Sequence, residues 1–150
     1  MKNEVGDQYY IHETIHRFAN SFDIKDWTAL EECFLREIYT DYSDLRGSPP
    51  ERMKASQFVL LRQTALKDLR TQHLCGNHEV DIDGERASCK TTMLIFRLNE
   101  ATREYFTTHA YYRFDLQKVS GSWKIAGITQ KVFWNEGNPQ VHPGILETKA

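Results

Sequence analysis

Two histidines flank a glutamate in His12-Glu13-Thr14-Ile15-His16, four residues apart. On a helix that spacing puts both imidazoles on one face, where they can share a metal ion with the glutamate as base. The pattern needs a third ligand, and no downstream H-x-x-G-x-x-H extension follows. Both rings also sit beside the apolar stripe of their helix, not at its centre. The motif therefore reads as a solvated flank, with no metal expected. Asp23 and His73 are the candidates for proton transfer. A carboxylate bonded to one imidazole nitrogen fixes the tautomer, so the other nitrogen can accept a proton. Spacing alone does not pair them: Asp23 then reads as a cap and His73 as a satisfied core histidine. Arg97 shares strand parity with Met93 and Ile95. A guanidinium buried there needs an acceptor; the alternative is a strand end in water.

These side chains depend on the elements that carry them. Ile11, Ile15, Phe18 and Phe22 recur at the helical period, predicting a helix over 7–21 with Asp7 as N-cap. Asp23 lies in the hinge after it. Asp26 caps a second, short helix that turns Trp27, Leu30 and Phe34 inward. Over 36–42 alternation predicts a strand with Ile38, Thr40 and Tyr42 on one face. Gly47-Ser48-Pro49-Pro50 ends that segment, and a third helix over 53–69 carries Phe58, Leu61, Ala65 and Leu69 inward. The period then switches to two, giving strands over 71–82, 87–98, 105–119 and 122–134. Asp83-Gly84 and Ser120-Gly121 supply two of the turns.

The expected fold is α+β: a cone-shaped, curved antiparallel sheet with helices on one face and a pocket at its mouth. One domain is expected over 1–150, with a core over about 7–134 and an irregular tail over 135–150. Parity places Phe106, Ala110, Tyr112 and Phe114 on the cone interior, together with Ile128, Gln130 and Val132. Tyr111, Arg113, Trp123 and Ile125 fall on the second face, a mixed aromatic surface that a small monomer covers poorly.

The 150 residues are 40% hydrophobic and 12% aromatic, enough for one core. The formal charge of −2 comes without runs of like charge, giving no basis for binding nucleic acid or anionic membrane. Cys33, Cys75 and Cys89 are odd in number and include no C-x-x-C pair, so they read as free thiols in a reducing compartment. No apolar run approaches the ~20 residues of a membrane span, and the first ten residues lack a signal peptide's apolar stretch. The expected location is the cytoplasm.

Four ordered segments resemble a known family: Ala19-Asn20-Ser21-Phe22-Asp23-Ile24-Lys25-Asp26-Trp27, Asp41-Tyr42, Leu69-Arg70-Thr71-Gln72-His73 and Gly121-Ser122-Trp123-Lys124-Ile125-Ala126-Gly127. With Trp134 they span about 11–134. The chain resembles the scytalone dehydratase-like, SnoaL-like (polyketide-cyclase-like) family of the nuclear transport factor 2-like superfamily. The resemblance implies that His73 is a base held by Asp23, in syn elimination of water. It also implies that Tyr42 holds a water against the substrate carbonyl. A second such tyrosine is replaced by Phe22. The family's second pocket histidine falls on Arg97, and its serine and asparagine on Ala110 and Tyr112. A related hexachlorocyclohexane dehydrochlorinase uses such a dyad to eliminate chloride.

The expectation is thus a cofactor-independent lyase acting on a small, cyclic, partly apolar compound. His73, Asp23 and Tyr42 are catalytic, and Asp23 and His73 lie at the floor of the largest pocket. Arg97 and Tyr112 bind the polar end, with Phe22, Leu61, Met93, Ile95, Ala110, Ile128, Gln130 and Val132 lining the rest. The alternatives are a ketosteroid-isomerase-like isomerase, a polyketide cyclase, and a non-catalytic binding module or small subunit of a ring-hydroxylating dioxygenase. A homo-oligomer is expected, a trimer before a dimer.

Overall fold

The computed structural model describes residues 4–143. Helix α1 (Glu4–Ile24) lays Ile11, Ile15, Phe18 and Phe22 on the sheet, and Lys25 in the left-handed region (φ 58°) ends it. The helix starts before Asp7, so Asp7 is not its cap. Its carboxylate instead accepts from the Trp123 indole and the Lys118 ammonium, both at 3.0 Å, bolting α1 to the sheet. Helix α2 (Trp27–Glu32) is capped as expected, the Ala29 N–H donating to the Asp26 carboxylate at 3.0 Å. Strand β1 (Phe34–Asp41) leads to a one-turn helix α3 (Ser43–Arg46), stopped by Gly47 at φ 75°. Strand β2 (Glu51–Lys54) and helix α4 (Ala55–Ala65) follow.

The long strands β3 (Leu69–Asp83), β4 (Arg86–Asn99), β5 (Tyr105–Val119) and β6 (Ser122–Gly137) form the antiparallel meander. Ser120 and Gly121 both have positive φ, 50° and 80°, the geometry a two-residue hairpin needs to follow strand twist. The sheet order is β2-β1-β6-β5-β4-β3, and β1 runs parallel to β6. The sheet is therefore mixed, not antiparallel throughout. Strand β1 covers the edge the meander leaves open, which shifts that edge to the four-residue β2.

Three departures from the sequence pattern matter for the site. Helix α4 is shorter and turned by about one residue, burying Ala55, Phe58, Val59 and Arg62 while Leu61 is 47% exposed. A register shift between Asp115 and Leu116 re-phases β6 relative to β5, so Trp123 and Ile125 point inward, not onto the second face. Strand β6 also runs on to Gly137, where positive φ (93°) and the missing Cβ allow close approach to the Tyr105 carbonyl. The Asn138 N–H donates to that carbonyl at 2.8 Å. A 3₁₀ turn (Pro139–Val141) then carries His142 inward, so the tail is ordered at least this far; 144–150 lie outside the described residues. Cys33, Cys75 and Cys89 are free thiols. Among the described residues no helix is long and apolar enough to cross a membrane.

Candidate active site

Asp23 ends α1 facing the first residues of β3. One carboxylate oxygen accepts the His73 backbone N–H at 2.7 Å; the other meets His73 Nδ1 at 2.7 Å and the Thr71 hydroxyl at 3.0 Å. A carboxylate only accepts, so Nδ1 carries the proton and Nε2 is the ring's free lone pair. The imidazole stacks on Phe22, centroids 5.0 Å apart, and is nearly buried. A base with a fixed tautomer and a locked ring plane results.

His73 lines a cavity with Phe18, Phe22, Thr71, Ile95 and Gln130, roofed by Tyr42, Leu45, Arg46, Arg62, Leu66, Arg97, Tyr112 and His142. It is tight, with about 30 Å³ open to the centre of a water-sized sphere, room for one or two waters. It is not the largest depression. A shallower one around Arg70, Phe96 and Tyr105 on the outer sheet face reaches about 450 Å³.

Tyr42, Phe22, Ile95, Arg97, Tyr112 and Gln130 line the same cavity as His73. Asp23 lies behind it. Met93, Ala110 and Ile128 face the same side but are fully buried in the core beneath the cavity. Val132 is half-buried and donates its backbone N–H to Asp44, while Leu61 faces solvent on α4. Sequence reasoning missed Arg46, Arg62 and His142. Arg62 was hidden because an apolar Leu61 stripe outcompeted a stripe containing a cation. The Tyr42-Ser43-Asp44-Leu45-Arg46-Gly47 run was a legible signal for Arg46, being a helix turn closed by glycine.

The roof is cationic. Arg62 and Arg97 are 7% and 4% exposed, and no lining residue is acidic. The Arg46 and Arg62 Nε atoms are buried with no hydrogen-bond partner, as is Gln130 Oε1. Arg97 donates to Thr108 Oγ1 at 2.9 Å and sits over the Phe106 ring; Arg46 sits 4.5 Å above the Tyr42 ring centroid. Burial lowers the Arg97 pKa to about 10, Arg46 adding to the effect, so it remains a cation at neutral pH. Burial pushes Tyr42 up to about 12, leaving its hydroxyl as a donor. The Tyr112 hydroxyl accepts from Gln130 Nε2 at 2.9 Å. Burial and the nearby Arg97 and Arg46 charges drive His142 down to about 2, so it is neutral.

Away from the cavity, His16 on α1 is exposed, whereas His12 is half-buried against His78 and not solvated as the motif suggests. His16, Cys75 and His78 place their donor atoms within 4.8 Å of one another. The sequence motif gives no sign of this juxtaposition, since Cys75 and His78 lie on β3 and not downstream in the same helix.

The chain is 26% identical over 145 residues to a scytalone dehydratase of Colletotrichum orbiculare (strain 104-T), covering 87% of this chain and 75% of that one. A Kribbella flavida protein, Kfla4162, superposes with a TM-score of 0.88 at 18% identity, over 93% and 98% of the two chains. A type 2 hexachlorocyclohexane dehydrochlorinase superposes at 0.77 with 11% identity, over 98% and 97%. The fold is the nuclear transport factor 2-like, cystatin-like one seen in these and other solved neighbours. Residues 3–129 match the SnoaL-like domain, and the chain belongs to that family.

Proposed function

We propose that the protein is a cofactor-independent, dehydratase-like lyase acting on a small cyclic compound that carries an anionic group. The observation that supports this most is the Asp23–His73 pair, 2.7 Å apart with its free nitrogen on a cavity residue. His73 Nε2 takes a proton from the carbon beside a carbonyl, and the C–H electrons form the new C=C bond. The β C–O bond breaks, and the oxygen leaves as water with the proton returned by the imidazolium. Asp23 orients His73 and stabilises its charged form; Tyr42, a neutral donor, polarises the carbonyl. The similarity to a scytalone dehydratase and to a dehydrochlorinase supports elimination as the reaction class.

The anionic group follows from charge. Buried guanidiniums are costly without a counter-ion; no acidic side chain lines the cavity, and Asp23 behind it is bonded to His73. A substrate carboxylate or enolate would accept from Arg46, Arg62 and Arg97. Small aromatic and alicyclic hydroxy-acids, screened by melting shift and by mass-spectrometric loss of water, test both parts. Turnover abolished by His73→Ala supports the lyase. Equal binding of neutral isosteres would overturn the anion, and turnover in His73→Ala would overturn the base.

The second inference is self-association, a trimer before a dimer. Leu74, Phe96, Tyr105 and Phe133 are exposed on the long strands, an apolar surface that a second copy would cover. A light-scattering mass near the 17.6 kDa chain mass at micromolar concentration would refute it.

A further inference from the structure

Strand β3 contains a bulge that the alternating pattern conceals. Gly76 pairs with Thr92 and Glu79 with Lys90, so Asn77 and His78 together oppose Thr91 alone. Asn77 takes a left-handed conformation, φ 55°, and the Thr91 hydroxyl holds the Gly76 carbonyl at 2.7 Å. In an unbroken strand Cys75 and His78, an odd number of residues apart, would point to opposite faces. The extra residue flips the phase and brings both onto the face that carries α1. There they meet the two histidines spaced by one helical turn. The His78 ring centroid lies 4.7 Å from that of His12 and 5.2 Å from that of His16. His78 Nε2 is buried with no hydrogen-bond partner, an orphan polar atom facing other donor atoms. Three imidazoles packed together without a carboxylate or an anion among them have one common use for their lone pairs.

We infer that His16, Cys75 and His78, completed by His12, form a tetrahedral binding site for a divalent transition metal of the zinc class. Zinc takes imidazole nitrogen at about 2.0–2.1 Å and thiolate sulfur at about 2.3 Å, which sets ligand atoms roughly 3.3–3.7 Å apart. The donor atoms of His16, Cys75 and His78 lie within 4.8 Å of one another, and His12 packs on His78 with ring centroids 4.7 Å apart, so side-chain rotation alone would be needed to close the set. The softness of the set, three nitrogens and a sulfur, excludes calcium and magnesium. Forming the metal–sulfur bond releases the Cys75 proton to solvent. His16 is exposed, which gives the ion a route in. The site clips α1 to β3 two residues beyond His73, on the strand that carries the dyad, and is distinct from the cavity.

The full-length protein, stripped with a chelator and dialysed, is titrated with cobalt(II) and then with zinc(II). One cobalt per chain is expected, with the intense visible bands of tetrahedral cobalt and a thiolate-to-cobalt charge-transfer band. Zinc should displace it and raise the melting temperature. Cys75→Ser should abolish the charge-transfer band. His78→Gln and His16→Ala should each weaken binding at least ~10-fold, since even outer-shell changes reach that size. His109→Ala, on the opposite face of the sheet against Trp134, serves as the control. His16 is exposed, so its variant reports on ligation even where replacing His78 costs folding. Absence of one-to-one cobalt binding, or binding indifferent to both His16→Ala and Cys75→Ser, would overturn the proposal.

Discussion

Asp23→Asn isolates what the carboxylate does for His73. The side chain keeps its volume, but one oxygen becomes an NH₂ donor that must face a former partner. If it replaces the oxygen on the His73 backbone N–H, two donors oppose each other at 2.7 Å, and the strand cannot move away. If it replaces the other oxygen, it meets His73 Nδ1 and the Thr71 hydroxyl. That hydroxyl can turn to accept, and the imidazole can move its proton to Nε2, leaving Nδ1 as an acceptor. The second arrangement is the cheaper, so the variant should hold the wrong tautomer: Nε2 then donates and is no base. Loss of base catalysis is ~10²–10⁴-fold in kcat. Exchanging charge-assisted for neutral hydrogen bonds costs only about 1–2 kcal/mol. A domain of this size loses roughly 2–4 °C per kcal/mol, so melting should fall by less than ~10 °C. Nitrogen-15 spectra of histidine-labelled protein read the tautomer without substrate, and kcat follows on any substrate found. An unchanged Nδ1–H tautomer in the variant, or kcat within ~10-fold of the parent, would refute the reasoning.

Arg62→Met removes a buried cation whose Nε has no partner, so the ligand-free protein should melt no lower, while affinity for an anionic ligand falls at least ~10-fold. Isothermal titration beside a melt checks both. His142, with a folded pKa of about 2 against 6.5 unfolded, leaves the unfolded state with more bound protons between those values. Stability should therefore be lost as pH falls below about 6.5, by up to ~1.4 kcal/mol per pH unit from this group. Urea titrations at pH 6, 5 and 4 should show a shallower fall for His142→Leu than for the parent. Phe58→Ala should cost ~3–5 kcal/mol and Leu61→Ala under ~1 kcal/mol, because α4 buries the first and exposes the second. Reversal of that order in denaturant melts would contradict the observed helix rotation.

The four long strands were readable because hairpin turns and strict alternation both mark them; the Ser120-Gly121 turn needs positive φ twice, and the sequence offers a glycine there. Helix α1 was readable for the same reason, four apolar residues at one period. What alternation could not carry was a phase change. The irregularity at Asp115–Leu116 turned Trp123 and Ile125 inward, and the bulge at Asn77–His78 brought His78 beside His12 and His16. Neither has a composition signal, because an extra residue looks like any other residue. Helix α4 failed differently. Two stripes one residue apart fit the helical period, and the hydrophobic rule rejects the one bearing Arg62, which is the one folded inward. The Asp23–His73 pairing is non-local by 50 residues and became visible through family resemblance alone.

The misread positions share an origin that bears on how the pocket works. Phe22, Asp23, Thr71 and His73 come from α1 and β3, whose packing and hydrogen bonds over-determine each rotamer. Arg46, Arg62 and His142 come from a one-turn helix, a rotated helix and a tail segment, none of which is fixed by a strand register. The proton-transfer half is thus built where small displacements are costly. The recognition half is built where side chains can change without disturbing the sheet. The 139–142 segment belongs to that second half: it leaves the sheet after Gly137 and turns Val141 and His142 inward.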